Sequence, residues 1–139
     1  MPDIISPVIV DTDVVSFSFK GDTRAAFYDA YLLDKLSYIS FQTLAELEQW
    51  AIARHWSARR HSALLEFIEE RFAVIESSAQ LSRHWAEVRE HVRQAGRIIQ
   101  PTDAWIAATA LLYGVPVVTH NAADFAPVVG LSIITEVKP

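Results

Sequence analysis

Residues 8–11, VIVD, are three β-branched residues followed by an acid. Such a run is typical of a short buried strand, because β-branched side chains fit the pleated surface of a sheet. Asp11 stands where this strand should end. Open parallel sheets bind their ligands beyond the carboxyl ends of the strands, so an acid at this position would face a binding crevice.

The chain that follows alternates helical and extended patterns. Further strands are predicted at 37–40, 72–77, 116–120 and 131–137, the last of them at an edge of the sheet. Helices are predicted at 23–35, with Asp22 as the cap, and at 43–56, 57–71, 79–95 and 102–113. This alternation predicts an α/β fold with a mostly parallel central sheet of about five strands, flanked by helices.

The composition limits the class of protein and the kind of site. With 139 residues, half of them hydrophobic, the chain is expected to form a single domain over residues 1–139. It has no cysteine, so a metal would be held by oxygen or histidine. The first ten residues contain an acid and no basic run, and the longest apolar stretch is interrupted by Gly114 and Pro116. We therefore expect a cytoplasmic protein without a signal peptide or a membrane span.

The net charge of −5 is unevenly distributed. Residues 54–97 carry eight arginines and six acids, a local charge of +2, in an otherwise acidic chain. Arginine suits bidentate contacts with phosphate or carboxylate, although the same pattern is compatible with solvated helix faces. An apolar set between 43 and 71 could form a partner groove or belong to the core: Trp50, Trp56, Leu64, Leu65 and Ile68.

Four acids fall near the carboxyl ends of the predicted strands: Asp11, Glu46, Asp103 and Asp124. Each also has a structural interpretation. Asp11 could begin an Asx turn, and Glu46 follows Thr43 at the spacing of a capping box. Asp103, next to Thr102, could favour a helix N-terminus, and Asp124 follows Asn121 at a capping spacing. The arrival of four acids at one rim from separate segments favours a functional interpretation.

A cluster of this kind needs a compensating charge. Two carboxylates about 4 Å apart repel by roughly 4 kcal/mol at an effective dielectric constant near 20. Either some of the acids are protonated or a divalent cation is bound. An all-oxygen site suits Mg²⁺ or Mn²⁺, which can activate water and neutralise a phosphodiester for in-line attack.

Four motifs give the chain a resemblance to the PIN-domain nucleases, and specifically to the VapC-type toxins of toxin–antitoxin pairs. The motifs are VIVDTDVVS (8–16), SFQTLAELE (40–48), PTDAWIAATAL (101–111) and VVTHNAADF (117–125). The resemblance extends over essentially the whole length. It implies a PIN-like three-layer sandwich and an endoribonuclease that uses Mg²⁺ or Mn²⁺ at the four acids. It also implies a homodimer and a cognate VapB-like antitoxin.

The resemblance suggests a role for each residue. Asp11 and Asp103 would be the principal metal ligands, Asp124 would hold the same or a second ion, and Glu46 would orient or deprotonate the attacking water. Thr119 and Asn121 would orient their loop. Asp13, where many relatives have asparagine, could join the metal site or only tighten a turn, and the turn is the favoured expectation. Six arginines are candidates for contact with RNA or with an acidic antitoxin segment: Arg54, Arg59, Arg60, Arg89, Arg93 and Arg97.

Two other functions are compatible with parts of this pattern. VIVDTDVV resembles the start of the haloacid-dehalogenase-like phosphatases, but those enzymes also need a lysine and a late acidic pair. The only lysines here are Lys20, Lys35 and Lys138. The second alternative is a non-catalytic PIN scaffold that binds RNA or a protein partner.

Overall fold

The computed structural model describes residues 5–137 of the chain. The strands within that range are β1 (Ser6–Val10), β2 (Lys35–Ser40), β3 (Ala73–Ile75), β4 (Val117–Val118) and β5 (Ile133–Ile134). The helices are α1 (Thr12–Lys20), α2 (Ala25–Leu32), α3 (Phe41–Ala53), α4 (Ala58–Arg71), α5 (Ala79–Gln94), α6 (Pro101–Tyr113) and α7 (Ala122–Phe125). Lys138 lies outside the described residues.

The five strands form one sheet in the order β3-β2-β1-β4-β5, and every neighbouring pair is parallel. This confirms the predicted α/β fold and places β5 at an edge, as expected. Strand β1 lies in the centre, with β2 on one side and β4 on the other. The chain order reverses between β1 and β4, and such a switch point opens a crevice at the carboxyl ends of the strands.

Helices cover both faces of the sheet and give it two hydrophobic cores. Alternate residues of β1 point to opposite faces, so Ile9 belongs to one core while Val8 and Val10 belong to the other. The Ile9 core contains buried residues of α5 and α6, and the Val8 core contains those of α1 to α4. The domain is therefore a three-layer sandwich, as the resemblance implied.

Helix α6 is buried more completely than its neighbours because its inward residues are small. Ala104, Ala107 and Ala108 have no exposed surface. Pro101 occupies the first turn, where its missing N–H is not needed, and Gly114 ends the helix in the left-handed conformation. The backbone of α6 can thus lie close to the sheet, and Asp103 is fixed in its first turn.

Helix α1 is not among the elements predicted from sequence. Asp11 caps it, Asp13 lies in its first turn, Lys20 in its last, and Gly21 ends it with a φ of 67°. Each of these is a recognised signal for a helix boundary. The segment between them contains β-branched residues and serines, which have only modest helix propensity, so the boundaries rather than the interior indicate this helix.

The observed boundaries correct three predictions. Helix α2 begins at Ala25 without a side-chain cap, because Asp22 instead binds the backbone and guanidinium of Arg24. Helix α3 begins at Phe41 with Ser40 as its cap, so the capping box assigned to Thr43 is wrong and Glu46 lies in the second turn. The last two strands are two residues long, shorter than predicted.

None of the helices within residues 5–137 has both the length and the apolar character needed to cross a lipid bilayer.

Candidate active site

Asp11 lies at the centre of the site, between the end of β1 and the start of α1. Its side chain is only 6% exposed. One carboxylate oxygen accepts a hydrogen bond of 2.7 Å from the backbone N–H of Thr12, and the other accepts one of 2.7 Å from the Thr119 hydroxyl. Both oxygens are therefore held in place by the fold itself.

Thr119 owes its position to the sheet. Its backbone N–H donates to the carbonyl of Ile134 in the neighbouring strand segment, and its own hydroxyl accepts a bond from the N–H of Asn121. Asn121 in turn donates its side-chain amide to Asp13 at 3.0 Å. These contacts join the loop after β4 to Asp11 and Asp13, and the supporting role of Thr119 and Asn121 in the reaction stays a prediction.

Asp13 does more than tighten a turn. One of its oxygens accepts the N–H of Val14 within α1, while the other accepts bonds from the His120 backbone and the Asn121 amide. It thereby joins the first turn of α1 to the loop after β4. The expectation of a purely local role is incomplete, because the two partner residues lie more than a hundred positions away along the chain.

Glu46 reaches the site through a pair of threonines. The hydroxyls of Thr12 and Thr43 share a hydrogen bond of 2.9 Å, and Thr12 also donates to Glu46 at 3.3 Å. Thr43 is completely buried, so this contact fixes α3 against α1. Burial raises the pKa of Glu46, while the bond from Thr12 lowers it and the charge of Asp13 raises it.

Asp103 and Asp124 form the outer part of the site. They line a single open cleft of about 400 Å³ between the start of α6 and the short helix α7. Burial raises the pKa of Asp103 to about 6, and the charges of Asp124, Glu46 and Asp13 contribute to that rise. Carboxylates from three other segments of the chain therefore act electrostatically on Asp103.

The pKa values of Asp11 and Asp13 are raised as well. The pKa of Asp11 is raised well above its ordinary value, chiefly by burial and then by the charge of Asp13. Burial also raises the pKa of Asp13, against the effect of its hydrogen bonds. Within residues 5–137, none of the ion pairs involves these acids. Protonation of some of these acids or a bound cation would relieve the repulsion within the cluster.

The donor set suits a hard cation, although the side chains are not already arranged around one. Among residues 5–137, no group of three or more acidic, histidine or cysteine side chains is close enough to hold a metal ion. Magnesium sites usually use one or two carboxylates and several waters, so they do not need a preformed cage of three. The cluster therefore fits a largely hydrated Mg²⁺ or Mn²⁺ better than a fully protein-bound ion.

Two supporting residues were missed by the sequence analysis. Tyr28 is fully buried, and its hydroxyl lies 2.7 Å from Nδ1 of His120 and accepts a bond from the N–H of Glu136. The ring of His120 packs edge-on against Phe17 and Tyr28. Tyr28 thus secures the loop that carries Thr119 and Asn121. A tyrosine on a helix gives no sequence signal for such a contact.

The candidate arginines fall into two surface groups. Arg54 and Arg60 lie over the rings of Trp50 and Trp56, near the end of α3 and the start of α4. On the other side of the sheet, Arg89 lies over Trp85 of α5, and Arg97 lines the cleft of Asp103. Arg59 and Arg93 are exposed on α4 and α5.

The apolar set proposed for a partner groove is divided by the fold. Leu64 and Ile68 are buried in the core, so they cannot line a surface groove. Trp50 and Trp56 pack partly against the same core, and Leu65 is exposed.

The lysine that a haloacid-dehalogenase-like phosphatase would require is not at this rim within the described residues. Lys20 ends α1, at the far end of that helix from Asp11, and Lys35 pairs with Asp34 at the start of β2.

Comparison with known proteins gives a consistent result. The family model described as "PIN domain" matches residues 8–130. The chain is 29% identical over 141 residues to the VapC ribonuclease Y4jK of Sinorhizobium fredii, covering 95% of this chain and 99% of that protein. It is 31% identical to the plasmid stability protein StbB of Pseudomonas syringae pv. tomato, covering 91% and 96%. The structure of VapBC2 from Rickettsia felis, bound to a promoter DNA fragment, superposes with a TM-score of 0.81 at 24% identity, covering 93% and 98% of the two chains.

Proposed function

The chain belongs to the PIN domain family, and from that premise we propose that it is a metal-dependent endoribonuclease, the toxin of a toxin–antitoxin pair. The observation that supports this most directly is the convergence of Asp11, Glu46, Asp103 and Asp124 at the carboxyl end of one sheet. Their mutual repulsion and the raised pKa of Asp11 and Asp103 create a site that a cation stabilises.

The position of each acid in the site suggests its role in the reaction. Asp11 and Asp103 would hold the ion, directly or through water, and Asp124 would hold the same ion or a second one. When bound, Mg²⁺ or Mn²⁺ lowers the pKa of a coordinated water and neutralises charge on the phosphodiester. Glu46 would orient the attacking water and accept its proton, and the rise in its pKa moves it towards the range in which a carboxylate acts as a base.

Hydrogen bonds from threonines fix the positions of Asp11 and Glu46 relative to each other. Thr119 directs one oxygen of Asp11, and the Thr12–Thr43 pair holds α1 and α3 at the distance that lets Glu46 face the cluster. Asp13 stabilises the loop after β4 by accepting hydrogen bonds from the His120 N–H and the Asn121 amide. A site built this way is ordered before the substrate arrives, which lowers the cost of reaching the transition state.

The partners follow from the same family membership. A VapB-like antitoxin is proposed because the Rickettsia felis relative is found in a VapBC complex. A homodimer is proposed from the resemblance alone. A cytoplasmic location is proposed because that is where the RNA substrate and a co-expressed antitoxin would meet this chain.

The test is a cleavage assay on purified RNA with Mg²⁺, with Mn²⁺ and with EDTA. We expect cleavage with either metal and none with the chelator, and internal cuts rather than trimming from the ends. A phosphomonoester substrate tested in parallel should remain intact. Hydrolysis of that substrate would favour the phosphatase. Intact RNA in every metal condition would favour a non-catalytic scaffold.

A further inference from the structure

Two clefts on the surface meet at one stretch of backbone. The cleft that contains Asp103 and Asp124 is also lined by Arg97, Ile98 and Ile99. The same three residues line a second open cleft, of about 510 Å³, beside helix α5. The two clefts therefore adjoin the same backbone segment, so the cleft beside α5 lies next to the one that contains Asp103 and Asp124.

The second cleft has the chemistry of a surface that binds single strands. Arg89, Arg93 and Arg97 supply positive charge, and Glu90 offsets part of it through its ion pair with Arg93. Arg89 lies over the ring of Trp85, 5.2 Å from its centroid. Ile98, which also lines the cleft, is 82% exposed and gives it an apolar surface. We name this set the α5 groove: Trp85, Arg89, Arg93, Arg97 and Ile98.

We propose that the α5 groove binds the RNA strand on one side of the bond that is cut. The three arginines would contact its phosphates, and Ile98 with the Trp85 edge would contact a base. Single-stranded RNA is bound in this way elsewhere, by a basic groove that follows the backbone and apolar or aromatic side chains that pack against bases. This inference rests on the proposed nuclease function and assigns the substrate a path.

A second basic group makes the proposal testable. Lys20, Arg54 and Arg60 are close enough for the two arginines to lower the pKa of Lys20, after the larger effect of burial. This group lies at the far end of α1, roughly 12 Å along the helix axis from its start beside Asp11. The α5 groove instead shares its wall with the cleft of Asp103. Proximity to the acids therefore favours the α5 groove.

The experiment compares two triple variants of the full chain that each lose three positive charges. One is Arg89→Gln/Arg93→Gln/Arg97→Gln, and the control is Lys20→Gln/Arg54→Gln/Arg60→Gln. Binding of a short fluorescein-labelled single-stranded RNA is followed by anisotropy across a range of salt concentrations, with EDTA present so that no RNA is cut. Thermal melting of both variants shows whether they remain folded.

We expect the α5 variant to reduce the slope of log affinity against log salt by about 2, since each phosphate contact in a single strand contributes about 0.7. The control should keep the wild-type slope. Two single variants refine the test. Arg97→Gln should weaken RNA binding, whereas Arg97→Lys, which keeps the positive charge, should retain most of the wild-type affinity. Equal losses in both triple variants, or a loss confined to the control, would overturn the proposal.

RNA cleavage and sedimentation distinguish a failure of this inference from a failure of the proposed nuclease function. If the wild-type chain neither binds nor cuts RNA, the proposed function fails and this inference fails with it. If the wild-type chain cuts RNA while the α5 variant binds as the wild type does, only the inference fails. If Ile98→Asp changes the sedimentation coefficient and leaves RNA affinity unaltered, the groove is an interface between copies of the chain, and the proposal is wrong.

Discussion

Besides Glu46, the site contains an inner pair and an outer pair of aspartates that are stabilised differently. Asp11 and Asp13, the inner pair, accept hydrogen bonds from two helix N–H groups, a threonine hydroxyl, a loop N–H and an amide. Asp103 and Asp124, the outer pair, line an open cleft, and within the described residues their carboxylates receive no side-chain hydrogen bond or ion pair.

The difference shows which part of the site the fold supplies and which part a ligand completes. The inner carboxylates are ordered by protein donors before any cation binds. The outer carboxylates face an open cleft without such donors from residues 5–137, so their geometry is expected to depend on the cation. Substitutions in the inner pair should therefore affect chemistry or loop order, and substitutions in the outer pair should affect metal affinity first.

The largest expected effect is that of Asp11→Asn. Loss of an outer-shell partner of a metal ligand typically costs about 10- to 100-fold, so loss of a ligand itself should lower RNA cleavage by more than about 100-fold. The fold should persist, because the asparagine oxygen can still accept the Thr12 N–H while its amide donates to the Thr119 hydroxyl oxygen. RNA gel assays and thermal melting test this. Asp34→Asn, an exposed acid away from the site, is the control and should be fully active.

The outer pair should show its effect in metal binding. Asp103→Asn and Asp124→Asn are each expected to weaken Mn²⁺ binding by at least about 10-fold, as measured by calorimetry. Melting temperatures without metal should stay the same or rise, because each change removes a mutually repelling charge. Wild-type Mn²⁺ affinity in both variants would contradict the division into inner and outer pairs.

Tyr28→Phe tests whether the tyrosine hydroxyl orders the loop that donates hydrogen bonds to Asp11 and Asp13. The change removes the hydroxyl that contacts the N–H of Glu136, the ring nitrogen of His120 and the carbonyl of Thr119, at a cost of about 0.5–1.5 kcal/mol in the free energy of unfolding. We expect kcat to fall while KM stays constant, because the loop of Thr119 loses order but the substrate surface is unchanged. Tyr31→Phe on the same helix is the matched control and should alter neither quantity.

The metal-free protein should become more stable as the pH is lowered. The folded-state pKa of Asp103, about 6, lies above its ordinary value of 3.8, so the folded state binds the proton more tightly than the unfolded state. The resulting stabilisation is complete below about pH 4 and is lost as the pH rises through about 6. With allowance for solvent screening of a half-exposed group, it amounts to about 1 kcal/mol.

Urea unfolding in EDTA at about pH 5 and about pH 7.5 measures that difference, and Asp103→Asn should make it smaller. Saturating Mn²⁺ should reverse the trend, because the ion favours the ionised carboxylates. A wild-type protein that is more stable at the higher pH without metal would show that the outer acids are neutralised in another way.

The smallest effect is expected from Asp13→Asn. The asparagine oxygen can still accept the His120 N–H and the Asn121 amide, so the loop should keep its position and cleavage should change only a few-fold. Asp13→Ala removes the acceptor and should reduce cleavage further. Equal and complete loss in both variants would indicate that the negative charge of Asp13 belongs to the metal site.

Much of the fold could be predicted because its signals are local. The β-branched run before Asp11, the alanines of α6 and the glycines after α5 and α6 each indicate an element from neighbouring residues alone. Helix α1 could have been found from Asp11 and Gly21 at its ends. The starts of α2 and α3 were mispredicted because Asp22, Ser40 and Thr43 are all capable caps, and only packing determines which of them acts as one.

The sequence by itself determined an α/β domain with four acids positioned at the ends of strands and the starts of helices, since hydrophobic periodicity and capping residues act over a few positions. Only the tertiary structure decided which acids are buried, that Asp13 joins them, and that Tyr28, Thr43 and His120 hold the site together. The reason is that burial and hydrogen bonding between distant segments depend on how completed helices pack on the sheet. A carboxylate acquires its pKa and its partners only after that packing is formed.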